Sequence, residues 1–188
     1  MSRPSTPAAL FLDRDGVVNL DTGYVHRRED FIFKDGIFDL ARAAHGLGYR
    51  LVVATNQAGI ARGLYTEADF LALTDWMCAR FRDEGAPIER VYFSPYHPTA
   101  GFGAYRQDHD TRKPKPGMLL QAQRELQLDM ASSILIGDKP SDIHAGIAAG
   151  VGRNVLLQED GIDLAVDADC VRIRRLSEAL PLLAVLVP

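Results

Sequence analysis

The chain has 188 residues, 47% hydrophobic and 24% charged, which is enough to build one globular domain, 1–188, around its own core. A net charge of −4 excludes the broad basic face that a nucleic-acid binder or an anionic-membrane binder needs, but leaves room for local cations around a small phosphorylated ligand. No run approaches the ~18 apolar residues of a spanning helix, and residues 1–7 carry no apolar signal core. Cys78 and Cys170 lie far apart and outside any CxxC motif, so the expectation is a cytoplasmic protein with reduced thiols.

Residues 8–12 form a short apolar run, too short for a helix, that reads as a buried strand and ends in Asp13-Arg14-Asp15-Gly16. At the C-terminal end of a strand in an open α/β sheet, side chains face the crevice where ligands bind. Two carboxylates held close there call for a cation, and Mg²⁺, which takes oxygen ligands and keeps room for phosphate, is the economical one. One of the two can attack phosphorus as an aspartate nucleophile while the other handles the proton.

Residues 19–34 are polar and aromatic without sustained periodicity, long for such a connection, and read as a binding loop or lid. His26 has no evident partner within it and reads as solvated. Ile37, Leu40, Ala41, Ala44 and Leu47 recur at helical spacing, closed by Gly48. A second strand, 50–54, ends in Thr55-Asn56-Gln57-Ala58-Gly59, where a hydroxyl and backbone N–H groups can cradle an anion. Thr66 opens the longest helix, 66–82, with Asp69 as an imperfect capping-box partner and an apolar stripe of Phe70, Leu73, Met77 and Phe81.

A third strand, 88–93, leads into a second irregular segment, 94–111, rich in Pro, Gly, Tyr and His. Arg112 and Lys113 follow, just ahead of a helix with Pro116 in its first turn and Leu119, Ala122 and Leu126 on its apolar face. A bidentate Arg beside a fixed Lys at a helix N-terminus is a phosphate clamp; Lys115 reads as solvated. A fourth strand, 133–136, ends in Gly137-Asp138-Lys139-Pro140-Ser141-Asp142, with Asp138 placed as a metal ligand, Lys139 as a phosphate partner, and Asp142 as a cap or a contact to metal-bound water. A helix over 143–149, a strand over 154–157, a strand-like piece within 161–175 and a helix over 176–187 complete the chain. Arg172, Arg174 and Arg175 read as a solvated face.

The alternation of strands and helices predicts a parallel sheet with helices on both faces, a Rossmann-like α/β fold. The strings Phe-Leu-Asp-Arg-Asp-Gly, Thr-Asn-Gln-Ala-Gly-Ile-Ala-Arg-Gly, Arg-Lys-Pro-Lys-Pro-Gly-Met and Ile-Gly-Asp-Lys-x-x-Asp resemble the haloacid dehalogenase superfamily of phosphatases. Within it they are most similar to the heptose 1,7-bisphosphate phosphatases, with the histidinol-phosphate phosphatases as close relatives. The resemblance covers residues 8–160. It implies strand one at the centre of the sheet, a minimal cap made of loops, and Mg²⁺ held by Asp13, the Asp15 backbone carbonyl and Asp138. It implies Asp13 as nucleophile, Asp15 as acid and base, and Thr55 and Lys113 on the transferring phosphoryl group. Asp21, Thr22, Gly23, Tyr24, Asn56, Gln57, Arg112 and Lys139 are the expected substrate contacts, in a pathway to lipopolysaccharide-core heptose.

One departure stands out. Relatives hold a structural zinc with three Cys and one His in the loop after strand three, whereas Ser94, Tyr96, His109 and Thr111 occupy the corresponding positions here. Hydroxyls are poor zinc ligands, so the expectation is no structural zinc and a loop ordered by Tyr96, Phe102 and Tyr105. A histidinol-phosphate phosphatase, a DNA 3′-phosphatase and a non-catalytic binding module are the competing readings. No large cap is foreseen, and the chain is expected to act as a monomer on a small sugar phosphate, without nucleic-acid or membrane partners.

Overall fold

The structure is a computed structural model that describes residues 6–158, 165–166 and 168–183. Its strands are β1 (Ala9–Leu12), β2 (Arg50–Asn56), β3 (Ile88–Ser94), β4 (Ile134–Gly137), β5 (Arg153–Leu157) and β6 (Val171–Ile173). Its helices are α1 (Ile37–Gly46), α2 (Ala58–Ala61), α3 (Glu67–Asp83), α4 (Gly117–Leu126), α5 (Pro140–Ala148) and α6 (Leu180–Leu183).

All six strands pair in parallel in the order β3-β2-β1-β4-β5-β6. The order reverses at β1, so a crevice opens outside the C-terminal ends of β1, β2 and β4, where ligands of doubly wound folds sit. Period-two alternation sorts the strands' side chains. Leu10, Leu12, Leu51, Val53, Ile134, Ile136 and Val155 meet α1 and α3 on one face. Phe11, Val52, Ala54, Leu135 and Leu156 meet α4 and α5 on the other. Both faces of β1 are therefore dry, and its residues Ala9–Leu12 are buried without exception. The chain can place charge only where that strand stops.

Several boundaries differ from the sequence expectation. β2 runs two residues further, through Thr55 and Asn56, because β3 continues alongside it and pairs Thr55 with Phe93 and Asn56 with Ser94. Thr66 and Asp69 form a complete capping box, with Asp69 N donating to Thr66 Oγ1 at 3.1 Å and Thr66 N to Asp69 Oδ2 at 2.9 Å. Pro116 is the N-cap of α4, one residue ahead of its first turn. α5 begins at Pro140, three residues earlier than the apolar pattern, since proline's fixed φ suits a first helical position. In place of a helix over 176–187, a 3₁₀ turn Leu176–Ala179 precedes α6; 184–188 lie outside the described residues, as do 161–164 and 167 of the expected strand-like piece. Arg172, Arg174 and Arg175 are exposed, as expected.

Candidate active site

The end of β1 carries the first half of the site. Asp13 is buried and its N–H donates to Ile136 O of the neighbouring strand at 3.0 Å, so the backbone here is still held by the sheet. The chain then turns sharply. Gly16 takes φ +97°, and a Cβ there would run into the carboxylate of Asp138; only glycine lets the first acidic turn approach the end of β4 so closely. Gly137 plays the matching part on β4, where a Cβ would collide with the Asp142 side chain.

Asp13, Asp138 and Asp142 each bring a carboxylate oxygen within 4.8 Å of the other two. Among the described residues, Lys113 supplies the compensating charge. Its side chain is buried, with Nζ 2.8 Å from Asp13 Oδ1, 2.6 Å from Asp142 Oδ1 and 2.7 Å from Ala54 O. Lys139 Nζ lies 3.0 Å from Asp21 Oδ2 and 3.5 Å from Asp138 Oδ2. Burial, with Asp13 and Asp142 adding repulsion, pushes Asp138 up to about 7 despite its two lysine neighbours. Burial likewise raises Asp13, against the pull of Lys113. Burial works to lower both lysines, yet their carboxylate neighbours raise them well above the ordinary lysine value. Asp138 Oδ1 is buried and has no hydrogen-bond partner. An excess of buried carboxylate and an oxygen without a donor is the chemistry that an oxygen-ligated divalent cation satisfies.

Asp15 stands apart from that trio. Arg14 grips it with Nε at 3.2 Å and Nη2 at 2.9 Å, Asn19 Nδ2 donates at 3.1 Å, and Gln57 Nε2 donates at 3.0 Å. Arg14 is 1% exposed, gives a further bond from Nη2 to Val25 O at 2.6 Å, and lies 5.5 Å from the Phe70 ring. Nothing in the sequence marks Arg14, Asn19 or Tyr65 as part of the site.

The second half comes from β2 and the turn before α4. Thr55 is buried beside the acids. Asn56 holds the basic turn in place, with its Nδ2 donating to Lys113 O at 3.0 Å and its Oδ1 accepting from Lys113 N at 3.1 Å. Lys113 is thus aimed from two sides, by Asn56 at its backbone and by carboxylates at its ammonium.

These residues line a cleft of about 510 Å³, within the size range of small-molecule sites. Asp13, Asp15, Asp21, Gly23, Tyr24, Thr55, Asn56, Gln57, Arg112, Lys113 and Lys139 all border it. Thr22 is exposed and is not among the lining residues. Arg112 Nη1 donates to Tyr96 O at 3.0 Å, and its guanidinium is pushed below its ordinary value by burial and by neighbouring Arg62. Arg62 in turn lies 6.0 Å from the Tyr24 ring centroid. Among the described residues, no carboxylate lies within ion-pair distance of Arg62 or Arg112, so Arg112 brings an uncompensated positive charge to the cleft wall, with Arg62 near it but outside the lining. His26, expected to be solvated, is half-buried and stacks on Tyr65 at 5.0 Å.

The loop after β3 is closed by hydrogen bonds and stacking. Thr111 Oγ1 donates to Ser94 Oγ at 3.1 Å, His109 Nδ1 lies 2.8 Å from Thr111 Oγ1, and Tyr96 stacks on His109 at 4.1 Å. Phe102 does not pack as expected and is 77% exposed, because the Pro/Gly-rich turn around it presents the ring outward while its N–H bonds to Ala61 O at 3.0 Å. Lys115, expected to be solvated, is half-buried and pairs with Asp108 at 2.8 Å.

Comparison with known proteins sharpens the assignment. The family model described as HAD-hydrolase-like matches residues 110–164. The D-glycero-alpha-D-manno-heptose-1,7-bisphosphate 7-phosphatase of Burkholderia mallei is 51% identical over 93% of each chain. The D-glycero-beta-D-manno-heptose-1,7-bisphosphate 7-phosphatase of Vibrio cholerae is 49% identical over 80% of this chain and 81% of its own. The crystal structure of D,D-heptose 1,7-bisphosphate phosphatase from B. bronchiseptica, complexed with magnesium and phosphate, superposes with a TM-score of 0.82 and 27% identity, over 94% of this chain and 98% of that one. By sequence, by sheet order and by the acids gathered at the ends of β1 and β4, this chain belongs to the family of heptose-bisphosphate phosphatases within the haloacid-dehalogenase-like hydrolases.

Proposed function

We propose that the chain hydrolyses the 7-phosphate of D-glycero-D-manno-heptose 1,7-bisphosphate through an aspartyl-phosphate on Asp13. The observation that carries this reading is the pairing of two phosphate-binding poles in one cleft. The inner pole is Asp13, Lys113 and Thr55 on the cleft wall with Asp138 beside Asp13; the outer is Arg112 on the same wall, with Arg62 near it but outside the lining. A substrate with a phosphate at each end matches both, and the relatives' names describe such a substrate.

Mg²⁺ fits the inner pole, with Asp13, Asp138 and the backbone carbonyl of Asp15 as its protein ligands. When bound, it supplies charge to offset the phosphoryl oxygens and the crowded carboxylates. The protein's own groups do the rest. A carboxylate oxygen of Asp13 attacks phosphorus and the bond from phosphorus to the sugar oxygen breaks. Asp15 gives a proton to that oxygen, which leaves as an alcohol. Lys113 and the Thr55 hydroxyl meet charge on the equatorial oxygens. Water then attacks the aspartyl-phosphate, Asp15 takes up its proton, and inorganic phosphate departs with Asp13 regenerated.

Structural zinc has no part in this reading, since two hydroxyls and a stacked tyrosine fill the positions that zinc-holding relatives give to ligands. The reading takes the chain as a monomer acting on a free small molecule, and no helix among the described residues is long and apolar enough to cross a membrane.

The reading is tested by following the bisphosphate with ³¹P NMR. It requires the 7-phosphoryl signal to give way to inorganic phosphate while the 1-phosphoryl signal persists. Loss of the 1-phosphate first, or no loss, would contradict it.

A further inference from the structure

Gln57 sits on the turn between β2 and α2, 1% exposed, and its side-chain amide is fully engaged. Oε1 accepts from the Tyr65 hydroxyl at 2.5 Å. Nε2 donates to Thr55 Oγ1 at 2.8 Å and to Asp15 Oδ2 at 3.0 Å. The orientation of the amide is set while Asp15 is ionised: turned over, its oxygen would then face an acceptor-only carboxylate. Burial pushes the Tyr65 phenol up to about 12, so it remains a donor across the working range. His26 stacks on the Tyr65 ring with 8° between the planes, and Gly59 leaves the space that ring occupies, since a Cβ there would collide with it.

This fixes the direction of the next hydrogen bond. The Thr55 hydroxyl has one hydrogen, and its oxygen already accepts from Gln57. Its own hydrogen is therefore left to donate into the cleft that Thr55 lines. The same amide ties Thr55 of β2, on the phosphate-binding side, to Asp15 in the turn after β1, on the proton-transfer side.

We propose that Gln57, locked by Tyr65, is a positioning residue that turns the Thr55 hydroxyl outward to donate to the transferring phosphoryl group, so that the amide acts through Thr55 rather than on the substrate. The inference rests on the phosphatase reading above. It gives Gln57 a different part from the substrate contact that the sequence resemblance implied. Asp15 is still held by Arg14 and Asn19 when Gln57 is removed, so the loss falls on Thr55.

The test is a double-mutant cycle with Mg²⁺ and the heptose bisphosphate, using Gln57→Met, Thr55→Val and the double variant, all checked for folding by thermal melting. Gln57→Met should lower kcat by about 10–100-fold, in the range for residues that orient a reacting group, with KM changed by less than about threefold. In the Thr55→Val background the same substitution should cost less than about threefold more. Gln57→Glu, equal in size but presenting oxygen where nitrogen donates, should lose at least as much kcat as Gln57→Met. Additive losses in the cycle, a change confined to KM, or a near-wild-type Gln57→Glu would overturn the proposal while leaving the phosphatase reading intact. A folded wild-type protein without activity on the bisphosphate would overturn both.

Discussion

Lys113 Nζ lies between Asp13 and Asp142, 2.8 Å from one carboxylate and 2.6 Å from the other, and its side chain is buried with them. Removing one partner of a buried ion pair leaves uncompensated charge and costs about 3–5 kcal/mol. Lys113→Met should therefore melt well below wild type without added metal. Its kcat should fall by about 10²–10³-fold, as expected for losing one pre-aimed cation on a phosphoryl group. Thermal melting and steady-state kinetics check the two effects separately.

Gly16 faces Asp138 with no room for a Cβ and a φ of +97°. Gly16→Ala should destabilise the fold by about 1–3 kcal/mol from backbone strain alone. It should also move the first acidic turn off β4 and weaken Mg²⁺ binding. Calorimetric titration of Mg²⁺, compared with wild type, reads that shift without relying on turnover.

The outer rim gives a prediction about specificity. Arg62→Met and Arg112→Met should each raise KM for the 1,7-bisphosphate about tenfold, equivalent to about 1.4 kcal/mol of binding. KM for the heptose 7-phosphate, which lacks the distal phosphate, should change little. Equal losses on both substrates would place these arginines at the reacting phosphate instead.

Chelation separates the two metals. EDTA should abolish phosphatase activity, and Mg²⁺ alone should restore it, with no zinc found in the purified protein by elemental analysis. The loop after β3 is held by hydrogen bonds among Ser94, His109 and Thr111, and Ser94 is fully buried. Thr111→Val should cost about 1–2 kcal/mol of stability by leaving buried hydrogen-bonding groups without partners. The loss should be the same with and without EDTA.

Cys78 supplies the pH test. Burial, with Asp75 adding to it, pushes its thiol up to about 11 from 9.0. Between those values the unfolded chain gives up the proton while the folded chain keeps it. The folded state therefore loses stability as pH rises from 9 toward 11 and is indifferent to this group below 9. Alkylation by iodoacetamide at pH 8 should be slow in the native protein and rise to that of an ordinary thiol once the chain is unfolded in guanidinium, because only the thiolate reacts.

Much of this was legible in the sequence because charge at the end of a dry strand is conspicuous. Asp13, Thr55 and Asp138 each interrupt an apolar run, and the sheet carries them to one crevice. Relations that depend on tertiary geometry were not legible. Arg14 sits between two aspartates and gives no periodic signal of burial, yet it is almost wholly enclosed against Phe70 and holds Asp15. Asn56 reads as a polar strand end and is taken up in fixing the Lys113 backbone. His26 and Tyr65 are 39 positions apart in a chain whose loop between β1 and α1 gives no clue that it folds over α2. The signal that could have found them is Gly59: a glycine inside a helical turn invites the question of what approaches it, and the answer is Tyr65.

The measurement that bears most directly on the central claim is Mg²⁺-dependent phosphate release from heptose 1,7-bisphosphate, with histidinol phosphate and a 3′-phosphorylated oligonucleotide alongside and Asp13→Asn as the blank. Rapid turnover of the bisphosphate, little with the other two substrates and none from the Asp13 variant is the expected result. Preference for histidinol phosphate or the oligonucleotide, or undiminished turnover by Asp13→Asn, would contradict it.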